Sequence, residues 1–160
     1  MPTINELVTQ VRDMLDERVA GAWSNEQLRR WLNEGNRDLA RYTRHYKALD
    51  TVATVIGTAE YTLDANIIAI EQAWYDDTVR QTPLAARHYE SMDAVWGSSQ
   101  NQAGDPSYFS TYGLSPTLRL RLFPVPTAVA TIRLLCAVVP TEMALSGSDT
   151  TAVDVPGHWY

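Results

Sequence analysis

The chain has 160 residues, 45% apolar and 20% charged, with 13 Lys and Arg against 19 Asp and Glu for a net charge of −6. That size and balance predict one compact unit, exclude a wholly disordered chain, and argue against a stand-alone nucleic-acid binder, which needs a basic footprint. The single cysteine, Cys136, excludes an internal disulfide framework and a cysteine-rich zinc site.

Thr3-Ile4-Asn5-Glu6 has the form of a capping box, and Ile4, Leu7, Val8, Val11 and Leu15 follow at helical spacing. A helix is predicted over 4–16. Its Asp13, Asp16 and Glu17 lie at the end where the helix dipole disfavours anions, which points to a cationic neighbour. Ala20-Gly21-Ala22 breaks the pattern, and Ser24-Asn25-Glu26-Gln27 opens a second capping box. The second helix is predicted over 25–46. Leu28, Trp31, Leu32, Leu39, Tyr42 and Tyr46 share its apolar face with Gly35, where close approach of another backbone would offset the glycine's poor helix propensity. Arg30, Arg37, Arg41 and Arg44 gather on the opposite face, as a solvated surface, a contact for an acidic partner, or a contact for nucleic-acid phosphates.

After Lys47 the period changes from 3.6 to 2. Extended segments are predicted over 51–56, 61–63 and 67–75, with a turn at Asp76-Asp77 and a returning partner over 78–81. Thr82-Pro83 reads as an N-cap followed by a first-turn proline, so a short helix is expected over 83–96. A polar loop, 98–106, leads to a strand over 108–112. Residues 117–123 alternate Leu118, Leu120 and Leu122 with Arg119 and Arg121, the pattern of a strand with one wet face. Pro124-Val125-Pro126 ends it, and 131–139 is expected as its partner, apolar on both faces and central. The fold class is α+β: an N-terminal helical pair over 1–48, then a sandwich-like antiparallel β-portion over 49–160 with one short inserted helix.

Chemistry-bearing patterns are missing from the sequence. It has no phosphate-cradling glycine loop, no glycine-flanked serine elbow, and no histidine pair at metal-ligand spacing among His45, His88 and His158. Cys136 lies in an apolar strand and reads as a buried, inert thiol. No catalytic residue, cofactor or metal is expected. No apolar run approaches the ~18 residues of a membrane span. Met1 to Glu6 lacks a signal-like start, so the expectation is a soluble protein made in the cytoplasm, with no membrane partner. The chain is rich in Trp (5) and Tyr (8) against 2 Phe. Trp31 is expected in the core, and Trp23 as a staple or an exposed anchor. Trp74 and Tyr75 beside the hairpin turn, with Tyr89, Trp96, Tyr108, Phe109 and Tyr112 around the polar loop, suit either core or interface.

Several segments, in order, carry a family resemblance. They are Trp23 to Gly35, Gly57 to Leu63, Ile70 to Asp76, Gly104-Asp105-Pro106-Ser107-Tyr108-Phe109, and Leu118 to Pro126 with its closing Pro-Val-Pro. Together they resemble the head–tail connector, or adaptor, proteins of tailed bacteriophages, over most of the chain from Asn5 to Tyr160. The family usually continues past a segment like Val155 to Tyr160 with a long helix that this sequence does not carry. The resemblance implies structural work in the virion, at the portal vertex. The chain would form a homo-oligomeric ring, usually of twelve subunits, beneath the portal protein. It would extend the DNA channel and offer a docking surface to tail or nozzle proteins. Genomic DNA would pass without sequence-specific binding, and an acidic protein suits a lumen that must not hold phosphates. Candidate interface residues are Arg30, Arg37, Arg41, Arg44, Trp74, Tyr75, Tyr108 and Phe109. The loop 98–106 is a further candidate for subunit contact. The alternative is a nucleic-acid-binding module gripping through the four arginines.

Overall fold

The computed structural model describes residues 3–17, 21–77, 80–96 and 102–144, without the side chains of 93–96. The chain divides into two compact units, one of residues 1–45 and 140–160, the other of 46–139.

The first unit is built on a helical pair. Helix α1 spans Ile4–Met14 and α2 spans Asn25–Thr43. Both capping boxes form. Thr3 N donates to Glu6 Oε2 at 2.7 Å while Thr3 Oγ1 accepts from Glu6 N, and Ser24 and Gln27 repeat the exchange. Each box satisfies two backbone donors that a helix start otherwise leaves bare. Helix α2 ends sooner than expected, with Arg44 in the left-handed region at φ 51 as its cap. Ile4, Val8, Leu28 and Met143 form the buried core of this unit, with Leu7, Val11 and Leu32 against it. Residues 142–144 lie along α2 as a strap running opposite to it. Glu142 pairs with Arg37, Asn33 exchanges two hydrogen bonds with the Met143 backbone (2.8 and 2.9 Å), and Arg29 Nη1 donates to Ala144 O at 3.2 Å.

The second unit is one curled, mostly antiparallel sheet rather than two stacked ones. Its strands are β1 (Lys47–Ala53), β2 (Glu60–Thr62), β3 (Ile67–Asp76), β4 (Gln81–Ala86), β5 (Tyr108–Tyr112), β6 (Arg119–Phe123) and β7 (Thr131–Val138), in the order β1-β7-β3-β4-β5-β6-β2. Helix α3, Tyr89–Trp96, links the parallel pair β4 and β5. Leu84, Phe109, Leu120, Leu122, Ile132 and Leu134 anchor a single core that draws on both halves of the sheet. Each such side chain contributes roughly 1.5–3 kcal/mol on burial.

The structure corrects two expectations. Residues 81–86 form a strand, so the short helix is α3 alone and not 83–96. Strand β3 recruits them: Asp77 N bonds Arg80 O at 3.0 Å to close the turn, and Trp74 stands opposite Pro83 in the register. Proline is tolerated because β5 pairs with β4 only from Ala85 onward, leaving the outer side of Pro83 with no strand to bond. Strand β7 is central, but its neighbours are β1 and β3, while β6 pairs with β5 and β2. The loop 124–130 carries the chain away from β6, with Val125 bonded through its backbone to Gln102 and Gly104.

Candidate functional site

Along α2 the arginines at 30, 37, 41 and 44 fall within about 60° of arc at 100° per residue. Three of them already face acids of their own chain. Arg30 pairs with Glu26 at 3.1 Å, Arg41 with Asp38 at 3.8 Å, and Arg37 with Glu142. Arg44 is exposed at the helix cap and makes no ion pair among the described residues. The stripe is real, but its charge is largely balanced locally.

The opposite face of α2 departs from a sealed core. Trp31 is 45% exposed and Tyr42 is 90% exposed. Neither is the core residue that the helical spacing suggests, and Tyr46 lies past the helix, buried in the β unit. Trp23, 39% exposed, meets Trp31 edge-on with ring centroids 4.9 Å apart. Gly35 has nothing among the described residues within 4 Å of where a Cβ would stand, so none of their backbones makes the expected close approach. Its cost of about 1 kcal/mol in helix propensity is therefore not offset by packing. Instead an apolar groove of about 320 Å³ opens beside it, lined from α1 by Leu7 and Val11 and from α2 by Leu28, Leu32 and Leu39.

The four aromatic candidates separate. Tyr75 and Phe109 are buried in the sheet core, which resolves them toward core over surface. Burial lifts the Tyr75 hydroxyl above its ordinary value, aided by Asp105 and Asp77. Trp74 is half-buried on β3, and Tyr108 is half-buried with the Arg87 guanidinium 5.4 Å from its ring centroid. Of the loop 98–106, residues 98–101 lie outside the described residues, as do residues 78 and 79 after the turn and the side chain of Trp96. Residues 102–106 are held against β6's exit by the parallel bridge of Ala103 and Val125.

Pattern reading missed three features. The first is a pair of buried arginines. Arg12 donates to Asn25 Oδ1 (Nη2, 2.6 Å), Trp23 O (2.9 Å) and Glu17 Oε2 (3.3 Å). Glu17 Oε1 in turn accepts from the backbone N–H groups of Gly21, Ala22 and Trp23. Desolvation raises the Glu17 carboxyl, but those donors and Arg12 outweigh it and hold it below the ordinary 4.5. The expected cationic neighbour of the α1 end is thus Arg12, from within the same helix. Arg29, also buried, bonds Asn5 Oδ1 at 2.9 Å.

The second is the covering of the wet face of β6. The Tyr89 hydroxyl lies 3.0 Å from Arg121 Nη1 and the Arg121 guanidinium stands 5.3 Å from the Tyr89 ring centroid. Tyr112 donates to Glu60 at 2.7 Å, and Glu60 also faces Arg119 and Arg121.

The third is an exposed apolar tip made by two neighbouring loops, 54–58 and 126–130. Val55 is 56% exposed, Ile56 61% and Val129 73%. Their backbones are firmly tied. Thr54 N bonds Ala130 O at 2.8 Å, Ala130 N bonds Thr54 Oγ1 at 2.7 Å, and Gly57 N bonds Pro126 O at 2.9 Å. The Tyr61 hydroxyl accepts from Val55 N (3.1 Å) and donates to Thr58 O (2.7 Å). A tip of this kind presents large apolar side chains with little ordering entropy left to lose, which favours docking onto a protein partner.

Among the described residues no group of His, Cys, Asp and Glu could hold a metal ion, and no helix is long and apolar enough to cross a membrane. Desolvation lifts the Cys136 thiol to about 11, with Asp50 adding to the effect, so the thiolate is scarce at neutral pH. The family model described as SU10 adaptor protein matches residues 2–160. No curated protein matches the chain.

Proposed function

This chain belongs to the SU10 adaptor protein family, and on that premise we propose that it works as a head–tail connector, seated as a ring of twelve copies beneath the portal protein, extending the DNA channel and offering the tail its docking surface. As a member of that family it is a structural adaptor of a tailed bacteriophage and a virion component. The observation that supports the finer reading is the rigid apolar tip of Val55, Ile56 and Val129. A ring needs a heterologous contact in which an exposed feature of one copy enters a different surface of the next. We assign the tip to that contact or to the portal. In this reading the arginine stripe of α2 in the helical unit and, separately, Trp74 and Tyr108 in the β unit are further assembly contacts. Exposed pairs such as Arg30–Glu26 and Arg41–Asp38 are worth about 0–1 kcal/mol each, so they re-pair with a partner's acids at little cost. The same local pairing argues against nucleic-acid binding through this stripe, since phosphates would have to compete with acids already in place.

The test is incorporation into particles. Val55→Asp, Ile56→Asp and Val129→Asp together leave the core residues untouched. The triple variant is expected to fold, by circular dichroism, and to be missing from the portal vertex in electron micrographs. Normal incorporation of that variant overturns the assignment of the tip. Wild-type protein missing from the head–tail joint overturns the connector reading itself.

A further inference from the structure

We propose that the free edge of β1 is a docking site for one extended strand of another protein, a strand that carries a Lys or Arg opposite Asp50 between apolar or β-branched neighbours. Strand β1 stands at the end of the strand order, with β7 on one side and no strand on the other among the described residues. Its register with β7 is unbroken from Lys47 to Ala53. Val138 N donates to Tyr46 O at 2.9 Å before it, and Thr54 N to Ala130 O at 2.8 Å after it. Antiparallel bonding alternates, so Ala48, Asp50 and Val52 direct their backbone groups at β7, and Lys47, Leu49, Thr51 and Ala53 turn theirs outward. Those four residues are also exposed, and β1 carries neither a proline nor a bulge to close the edge. One side chain guards it. The Asp50 carboxylate accepts from Thr51 N at 2.8 Å, so an outward N–H is occupied from within the strand. No cation pairs with Asp50 among the described residues, and the strand's own Lys47 is held by Glu71 at 2.6 Å.

A strand laid along this edge bonds at Lys47, Leu49, Thr51 and Ala53. Asp50 then holds a non-hydrogen-bonded position, where facing side chains stand closest. A Lys or Arg there draws the carboxylate across and frees Thr51 N for the ladder. A strand without a cation leaves Asp50 unneutralised at the joint and Thr51 N closed, so the edge is selective rather than generally adhesive. On the outer face the strand meets Leu49 and Thr51, both exposed. On the inner face it meets Ala48 and Val52, and Val52 packs against the sheet core, so apolar and β-branched residues fit beside the cation. A second copy is the weaker partner. The opposite edge, β2, has three residues and begins at Glu60, which would bring another carboxylate to Asp50. Two β1 strands paired about a central two-fold place Asp50 opposite its own mate or diagonal to it, and like charges across strands are destabilising. The docking edge does not depend on the connector role and stands or falls separately from it.

The experiment uses the full chain and two synthetic peptides, acetyl-Thr-Val-Thr-Lys-Val-Val-Thr-amide and the same peptide with Glu in place of Lys. Amide hydrogen exchange is read residue by residue by NMR. In the protein alone Leu49 and Ala53 are expected to exchange fast, and Ala48, Asp50 and Val52 slowly. The Lys peptide is expected to slow Leu49, Thr51 and Ala53 by about tenfold when the edge is about nine-tenths occupied, leaving Ala48, Asp50 and Val52 unchanged. The Glu peptide is expected to bind about tenfold more weakly, and Asp50→Asn to bring the two peptides level. No slowing at the outward positions by the Lys peptide, up to its solubility limit, overturns the proposal. Equal slowing by both peptides on the wild-type chain overturns it too, as does a preference that survives Asp50→Asn. Slow exchange at Leu49 and Ala53 without peptide shows an edge already covered, by a second copy where it grows with protein concentration, and also overturns the proposal.

Discussion

Arg12 is the side chain on which the helical unit depends most, and Arg12→Met tests this directly. Methionine keeps most of the apolar stem, so the change reports on the guanidinium. Arg12 is 6% exposed, and its guanidinium joins three parts of the chain: the Asn25 side chain at the start of α2, the Trp23 carbonyl, and Glu17 beyond the end of α1. Removing it leaves the Asn25 Oδ1 and Trp23 O acceptors without their donor. Each hydrogen bond from a charged donor is worth about 1.5–3 kcal/mol, and water replaces part of this at Asn25 and Trp23, which are exposed residues. Relief of the desolvated cation returns part of this, so the net loss is expected near 3 kcal/mol. With a urea slope of about 1–2 kcal/mol per molar for a unit of this size, the midpoint should fall by about 1.5–3 M. Tryptophan emission follows the transition through Trp23 and Trp31, and amide exchange in α1 assigns the loss to this unit. Arg12→Lys keeps the charge without the fork and should recover less than half. A Met variant within about 0.5 kcal/mol of wild type would refute the reasoning, because a joint of this burial cannot be that weak.

Other outcomes rest on single sites. The Glu17 carboxyl has a lowered pKa in the folded state, so its contribution is present above the ordinary 4.5 and is lost as the pH falls through the depressed value; Glu17→Gln should flatten the stability profile in that acid window. Gly113 sits at φ +83 with a Cβ position 2.9 Å from Thr117 O, whereas Gly57 at φ +77 faces open space. Gly113→Ala should therefore cost about 2–3 kcal/mol and Gly57→Ala about 1 kcal/mol by thermal or urea unfolding. The Cys136 thiol, raised from 9.0 to about 11, should resist a thiol reagent at pH 8 until the sheet is unfolded, and stability should decline as the pH climbs from 9.0 toward that value, because only the unfolded thiol has ionised.

The local signals of the sequence were strong where chemistry is local. Both capping boxes are legible because their donors and acceptors lie three residues apart. Strand β5 and the Leu–Arg alternation of β6 are legible because period 2 needs no partner to be seen. What the sequence hides is pairing. Thr82-Pro83 looks like a helix start in isolation, and only the register with β3 makes it a strand. The interface candidates fared according to the same rule: the arginine stripe is a property of one helix and can be read, whereas its neutralisation by Glu142 depends on a segment far along the chain. The tip of Val55, Ile56 and Val129 left no sequence signal, since its two loops are joined by bonds between residues more than 60 apart, Thr54 with Ala130 and Gly57 with Pro126. Buried Arg12 and Arg29 are equally invisible, because a cation in an apolar stripe looks like a lapse in the pattern until its acceptors are in place.

The relative weight of tip and arginine stripe fixes one more expectation. Burying the exposed parts of Val55, Ile56 and Val129 against a partner is worth about 3–5 kcal/mol in all, taking about 1.5–3 kcal/mol for each whole side chain. Exposed ion pairs re-formed with a partner supply about 0–1 kcal/mol each, and salt screens them further. If apolar contact dominates, assembly should change by less than about threefold between about 0.1 and 1 M salt, because the Debye length falls from about 10 to 3 Å without touching the apolar contribution. Pull-down of the chain on portal rings across that range measures it. A loss of affinity by about a hundredfold would mean that the arginines, freed from Glu26, Asp38 and Glu142, carry the contact, and the tip would then have to be reassigned.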